Sequence, residues 1–145
     1  MTRFVQALSA AAMLAGVAGA PAPAWSADPV LVDVEPTVCA EDQYLSRIEK
    51  RFAYQVKHVP NLPDVRIAGF YDIREQVYEP SDEFRPISRR YCSATVTLDN
   101  SESRSIWYLI ETDQGFASIG ENVEFCVNGF DRWMIYNGAC RILRK

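Results

Sequence analysis

The residues of this 145-residue chain whose types could do chemistry are four cysteines, one histidine, and a set of arginines and aromatics. Cys39, Cys92, Cys126 and Cys140 are widely spaced and contain no C-x-x-C pair. Neither a thioredoxin-type redox couple nor a zinc site finds its motif there. An even number of cysteines behind an export signal predicts two structural disulfides instead. His58 stands alone between Lys57 and Val59. Without a second histidine or a neighbouring nucleophile, it reads as a cation favoured by a helix C-terminus rather than as a general base or metal ligand. The chain has no G-x-S-x-G, no S-x-x-K, no phosphate loop, no dinucleotide fingerprint and no calcium-loop spacing. Asp72, Glu75 and Glu111 fall on or near predicted strands and read as solvated carboxylates. No catalytic residue, metal or cofactor is expected.

Contact chemistry is better represented. Arginine outnumbers lysine 12 to 3, which favours planar, two-pronged pairing with carboxylates. Arg85, Arg89 and Arg90 precede a strand, and Arg141, Arg144 and Lys145 close the chain. Trp107, Tyr108, Phe116, Phe125, Phe130, Trp133 and Tyr136 crowd the C-terminal part, where most must build the core. Aromatics and arginines dominate interface hot spots. Trp107, Tyr108, Phe130, Trp133, Arg89 and Arg90 are therefore the candidates for binding a partner.

These residues need elements to position them. Tyr44, Ile48, Phe52 and Val56 recur every four residues, with Arg47, Glu49, Lys50 and Arg51 off that stripe, which predicts an amphipathic helix over 41–57, ended by Pro60 and Pro63. Strand patterns follow over 65–78, 89–98, 105–112 and 123–127, then over 133–136 and 140–143. Asp99-Asn100-Ser101, Asn128-Gly129 and Asn137-Gly138 are the turn signals. The third strand is apolar on both faces, as a covered central strand would be. The fold class is α+β: one N-terminal amphipathic helix packed on a four- or five-stranded antiparallel meander, by analogy with cystatin-like and NTF2-like folds. In such a meander Cys92 is expected to meet Cys126, leaving Cys39 to bridge Cys140.

Residues 1–27 read as a signal peptide. Arg3 supplies the positive start, Phe4 to Ala20 is apolar, and Pro21 and Pro23 break any helix before small residues that allow cleavage among residues 24–27. An extended lead-in over 28–40 and a single disulfide-stapled domain over 41–145 complete the organisation. No later stretch is long and apolar enough to span a bilayer. Cleavage removes one base and none of the 19 acids, taking the net charge one unit below the whole chain's −4. An acidic domain is repelled by phosphate backbones, so nucleic acid is excluded as a general partner.

Gly115-Phe116, Val123-Glu124-Phe125-Cys126-Val127, Gly129-Phe130-Asp131 and Ala139-Cys140-Arg141 form a distinctive set. A cysteine ahead of the helix and Tyr91-Cys92 opening a strand complete it. The set resembles an uncharacterised family of small exported four-cysteine proteins of alphaproteobacteria. The resemblance implies export, disulfides and a Gram-negative periplasmic destination, and it transfers no catalytic residue. The function expected first is a non-enzymatic periplasmic interaction module, an accessory subunit or assembly factor bound to another envelope protein. An inhibitor or immunity-type protein against a basic secreted enzyme such as a lysozyme is the second expectation. A small-ligand binder or enzyme with a pocket on the concave sheet face is the third.

Overall fold

The computed structural model describes residues 37–112 and 121–145, which all belong to one compact unit, Asp33–Lys145. The signal reading over 1–27, most of the lead-in, and the 113–120 connection with Phe116 lie outside the described residues. The lead-in ends in a single 3-10 turn, Val38–Ala40, whose first free amide, that of Cys39, donates to the Thr37 hydroxyl. It is thus not extended to its end, and Cys39 is fully buried.

Helix α1 spans Asp42–His58. It contains neither Gly nor Pro, and it places Asp42 in its first turn and Lys57 and His58 in its last, each where the helix dipole favours that charge. Its four buried residues are the stripe Tyr44, Ile48, Phe52 and Val56. Val59, which precedes Pro60, takes an extended conformation, and its amide donates the last bond to Gln55.

Four strands follow as an antiparallel meander in the order β1 (Ile67–Glu79), β2 (Ser88–Leu98), β3 (Ser103–Thr112) and β4 (Asn122–Val127). Strand β1 is an edge strand broken by three register shifts and by a left-handed Asp72 (φ 52°). Such bulges blunt an exposed edge against pairing with other chains. Ser101 in the β2–β3 turn is also left-handed (φ 68°), and its amide donates to the Leu98 carbonyl.

The period of two sorts the sheet into faces. Cys92, Ala94, Val96 and Leu98 of β2 share one face with Ile106, Tyr108 and Ile110 of β3 and Val123, Phe125 and Val127 of β4. This inner face and the α1 stripe form the main core. The opposite face carries a smaller cluster of Tyr91, Leu109, Cys126, Cys140 and Leu143. Burial of Leu109 there, with Ile106, Tyr108 and Ile110 on the other side, covers β3 on both faces as its sequence predicts.

Two expectations are corrected. The strands read over 133–136 and 140–143 do not form, and residues after Val127 run through consecutive turns. Met134, Asn137, Gly138, Ala139 and Cys140 all have φ between 46° and 66°, a backbone that cannot lie in a ladder. The disulfides are Cys39–Cys92 and Cys126–Cys140, not Cys92–Cys126 and Cys39–Cys140. Face parity is the reason. Cys92 points to the helix side, opposite Tyr108, while Cys126 pairs with Trp107 on the other face. Strand β3 also lies between them, which sets the two cysteines roughly 10 Å apart, beyond the reach of a disulfide.

Candidate functional site

The C-terminal segment from Asn128 onward wraps the free edge of β4. Phe130 enters the helix-side core, its ring 4.9 Å from that of Phe52 in an edge-on contact, while Cys140 and Leu143 pack on the opposite face. Gly129 makes the turn from β4 into Phe130 with φ 89°, a conformation that favours glycine. Asp131 fixes the start of the next turn, its carboxylate accepting the Tyr136 amide at 3.1 Å.

Helix α1 reaches the same edge from the other side. Arg47, Arg51 and Gln55 lie four residues apart on one flank, and donate in turn to the carbonyls of Glu121, Val123 and Phe130. The helix therefore runs alongside β4 in the same direction, tied to it by three charged or amide side chains.

Between these two walls lies an open groove of about 650 Å³. Its floor includes Glu124, Phe125, Cys126 and Val127. Four consecutive strand residues, whose side chains alternate between faces, can border one groove only if the edge of the strand faces it. Tyr54, Trp133 and Ile135 stand on the rim, 64%, 59% and 65% exposed. Lys50, Arg51 and Arg132 supply positive charge, and Glu124 and Asp131 negative charge. Tyr136 is part-buried at the side of the groove. Burial raises its phenol pKa, and the nearby Glu124 and Asp131 add to that while Arg51 opposes them.

The six candidate partner residues separate in space. Trp133 and Phe130 meet in the groove, though Phe130 is 4% exposed and serves chiefly as core. Tyr108 is fully buried and donates its hydroxyl to the Cys39 carbonyl at 2.6 Å, so it presents nothing to a partner. Trp107 lies on the opposite sheet face, with the Arg144 guanidinium 4.9 Å above its ring. Arg89 pairs with its cross-strand neighbour Glu111 at 3.0 Å, which raises the guanidinium pKa further above its ordinary value. Arg90 pairs with Glu75 at 2.6 Å and stacks 3.8 Å over Tyr78. Glu75 and Glu111, read as solvated from the sequence, are therefore both ion-paired.

Sequence reasoning missed Tyr54, Lys50, Arg132 and Ile135. The signal for Tyr54 was present: it is a large aromatic that falls off the buried stripe of an amphipathic helix, and it has to face water or a partner. The others depend on how the C-terminal segment folds back.

His58 is exposed in the last turn of α1, where its Nδ1–H donates to the Tyr54 carbonyl at 2.7 Å and its ring stacks 3.8 Å from that of Tyr54. Among the described residues no three His, Cys, Asp or Glu side chains converge to hold a metal ion, and no helix is long and apolar enough to cross a membrane. Helix α1 packs on the inner face of the sheet, and the groove opens at its β4 margin. Compared with models of known protein families, with curated proteins and with solved structures, the chain matches none.

Proposed function

We propose that the protein is a non-enzymatic interaction module of the Gram-negative periplasm, an accessory subunit or assembly factor that binds another envelope protein through the α1–β4 groove. The observation that carries this reading is the exposure of Tyr54, Trp133 and Ile135 around one concavity, each more than half open to solvent. Isolated exposed apolar residues are ordinary, but a cluster bordering a groove marks an interaction surface. The two disulfides fit an oxidising compartment. The rim favours an acidic partner surface over a basic enzyme, since three of its five charged side chains are cations.

The test is in-cell crosslinking of a tagged full chain exported from its own promoter, followed by mass spectrometry of the solubilised envelope. One dominant, stoichiometric partner is expected with the wild type. It should be lost with the double variant Trp133→Ala/Ile135→Ser, whose circular dichroism and disulfide map stay unchanged. Recovery of the chain alone, or of the same partner with the double variant, would sink the reading. A groove of this volume also suits a small apolar ligand. A low-molecular-weight compound co-purifying with the chain alone would favour that alternative.

A further inference from the structure

The edge of β4 has backbone groups with nothing to bind. The Asn128 amide donates to the Ser105 carbonyl on β3, so residue 128 turns its backbone toward the sheet. In an antiparallel ladder the direction alternates, so 122, 124 and 126 also turn inward and 123, 125 and 127 turn outward. Three outward carbonyls are taken within the fold: that of Glu121 by Arg47, that of Val123 by Arg51, and that of Val127 by the Phe130 amide. The Phe125 N–H and C=O, and the N–H groups of Val123 and Val127, have no partner among the described residues. Val123 and Val127 are closed off, at 0% and 2% exposure, and Val123 does not line the groove, which leaves the Phe125 backbone as the pair of groups a partner can reach. Polar backbone groups in such a setting are nearly always paired with something.

We propose that the groove receives an extended segment of the partner protein as a fifth strand beside β4, an apolar run flanked by Asp or Glu; this rests on the interaction-module reading above. The groove runs along the β4 edge. α1 stands over it on the inner face of the sheet, and the turn carrying Tyr136 stands over it on the outer face, where Tyr136 packs with the Cys126–Cys140 cluster. A strand in that position turns alternate side chains toward Tyr54 on one side and Tyr136 on the other. Both walls present aromatic surface between the charges of the rim, which selects an apolar run rather than an alternating one. Its backbone exchanges two hydrogen bonds with Phe125, the usual mode of strand addition at a sheet edge.

Charge selects the flanks. Lys50, Arg51 and Arg132 border the groove, and among the described residues none of them has an ion-pair partner. Of the two groove carboxylates, Asp131 is already engaged by the Tyr136 amide, which leaves Glu124 against three cations. The local excess of cations runs against the net negative charge of the chain, and it complements acidic residues on either side of the inserted run.

The experiment is selection of displayed random 12-residue peptides on the exported, disulfide-bonded protein. Fluorescence anisotropy then follows with synthetic winners and with copies N-methylated at alternate amides. Winners are expected to carry β-branched or aromatic runs next to Asp or Glu. N-methylation on the edge facing β4 should weaken them at least tenfold, and methylation on the far edge should not. Lys50→Glu/Arg132→Glu, two exposed positions, should weaken them similarly. Bound peptide should slow hydrogen exchange at the Phe125 amide. Winners that bind in the groove but ignore N-methylation would overturn strand addition and leave the interaction-module reading standing. Absence of any groove-binding peptide would overturn strand addition as well, and the in-cell crosslinking above would then decide the wider reading separately.

Discussion

Cys39 is held by two separate bonds that come from directly opposed residues of neighbouring strands. Its sulfur joins Cys92, and its carbonyl accepts the Tyr108 hydroxyl at 2.6 Å, while Cys92 and Tyr108 face each other across the β2–β3 pair. The hydroxyl lies in the main core, where an unpaired polar group is expensive. Tyr108→Phe removes the donor and strands the Cys39 carbonyl, while taking only one oxygen atom out of the packing. The expected loss is about 1–2 kcal/mol, read as a lower denaturant midpoint with an unchanged slope. An unaltered midpoint would mean that water takes the place of the hydroxyl. Ordinary pairing engages Arg89 and Arg90 at the same scale: each meets a carboxylate on an adjacent strand.

Among the elements, the segment after β4 depends most on a single covalent link. Several of its residues occupy left-handed backbone, which costs about 1–3 kcal/mol at each non-glycine position and persists only where surroundings enforce it. The Cys126–Cys140 bond closes a loop with a sequence separation of 14, worth about 3 kcal/mol in chain entropy, against about 4 kcal/mol for the 53-residue separation of Cys39–Cys92. Cys126→Ala/Cys140→Ala should therefore lower stability by roughly 3 kcal/mol. It should also open residues 131–139 to limited proteolysis while β1 to β3 and α1 keep their protection. Uniform loss of protection across the domain would show instead that the segment folds as one unit with the core. Helix α1 and the four strands were legible because periods of four and two each ran long enough to identify. The segment was misread because Trp133–Tyr136 and Cys140–Leu143 are short apolar runs that fit a strand or a turn equally. Asn137-Gly138 does adopt the left-handed pair expected of a hairpin turn, but the left-handed backbone continues through Ala139 and Cys140, so no strand emerges. Alternation alone could have excluded the Cys92–Cys126 pairing, one of the three possible. Cys92 falls in step with Ala94 and Val96, whereas Cys126 falls out of step with Phe125 and Val127. Of the groove, Trp133 and Phe130 were named from the sequence and Tyr54 could have been, while the remainder requires the C-terminal segment to return to β4.

For the whole molecule, the buried phenols set a limit on stability at high pH. Burial raises the pKa of Tyr44, Tyr108 and Tyr136 above the ordinary tyrosine value, and at Tyr44 a hydrogen bond and the negative charge of Glu121 add to the effect. The folded chain thus keeps protons that the unfolded chain gives up near pH 10. Stability falls with pH wherever the unfolded state binds fewer protons. These three groups therefore leave stability unchanged below about pH 9 and erode it above about pH 10, by up to roughly 1.4 kcal/mol per pH unit for each phenol still protonated in the fold. Asp82 is lowered by its bonds to Arg85, but both are exposed and their pairing adds little on the acid side. Urea unfolding between pH 7 and 11, with incubations short enough to spare the disulfides, should give a flat profile followed by a steep decline. Tyr108→Phe should show a shallower decline than the wild type, because one of the three phenols no longer titrates. A wild-type profile that stays flat to pH 11 would mean that the phenols reach solvent, contrary to a core in which Tyr44 and Tyr108 are almost wholly enclosed.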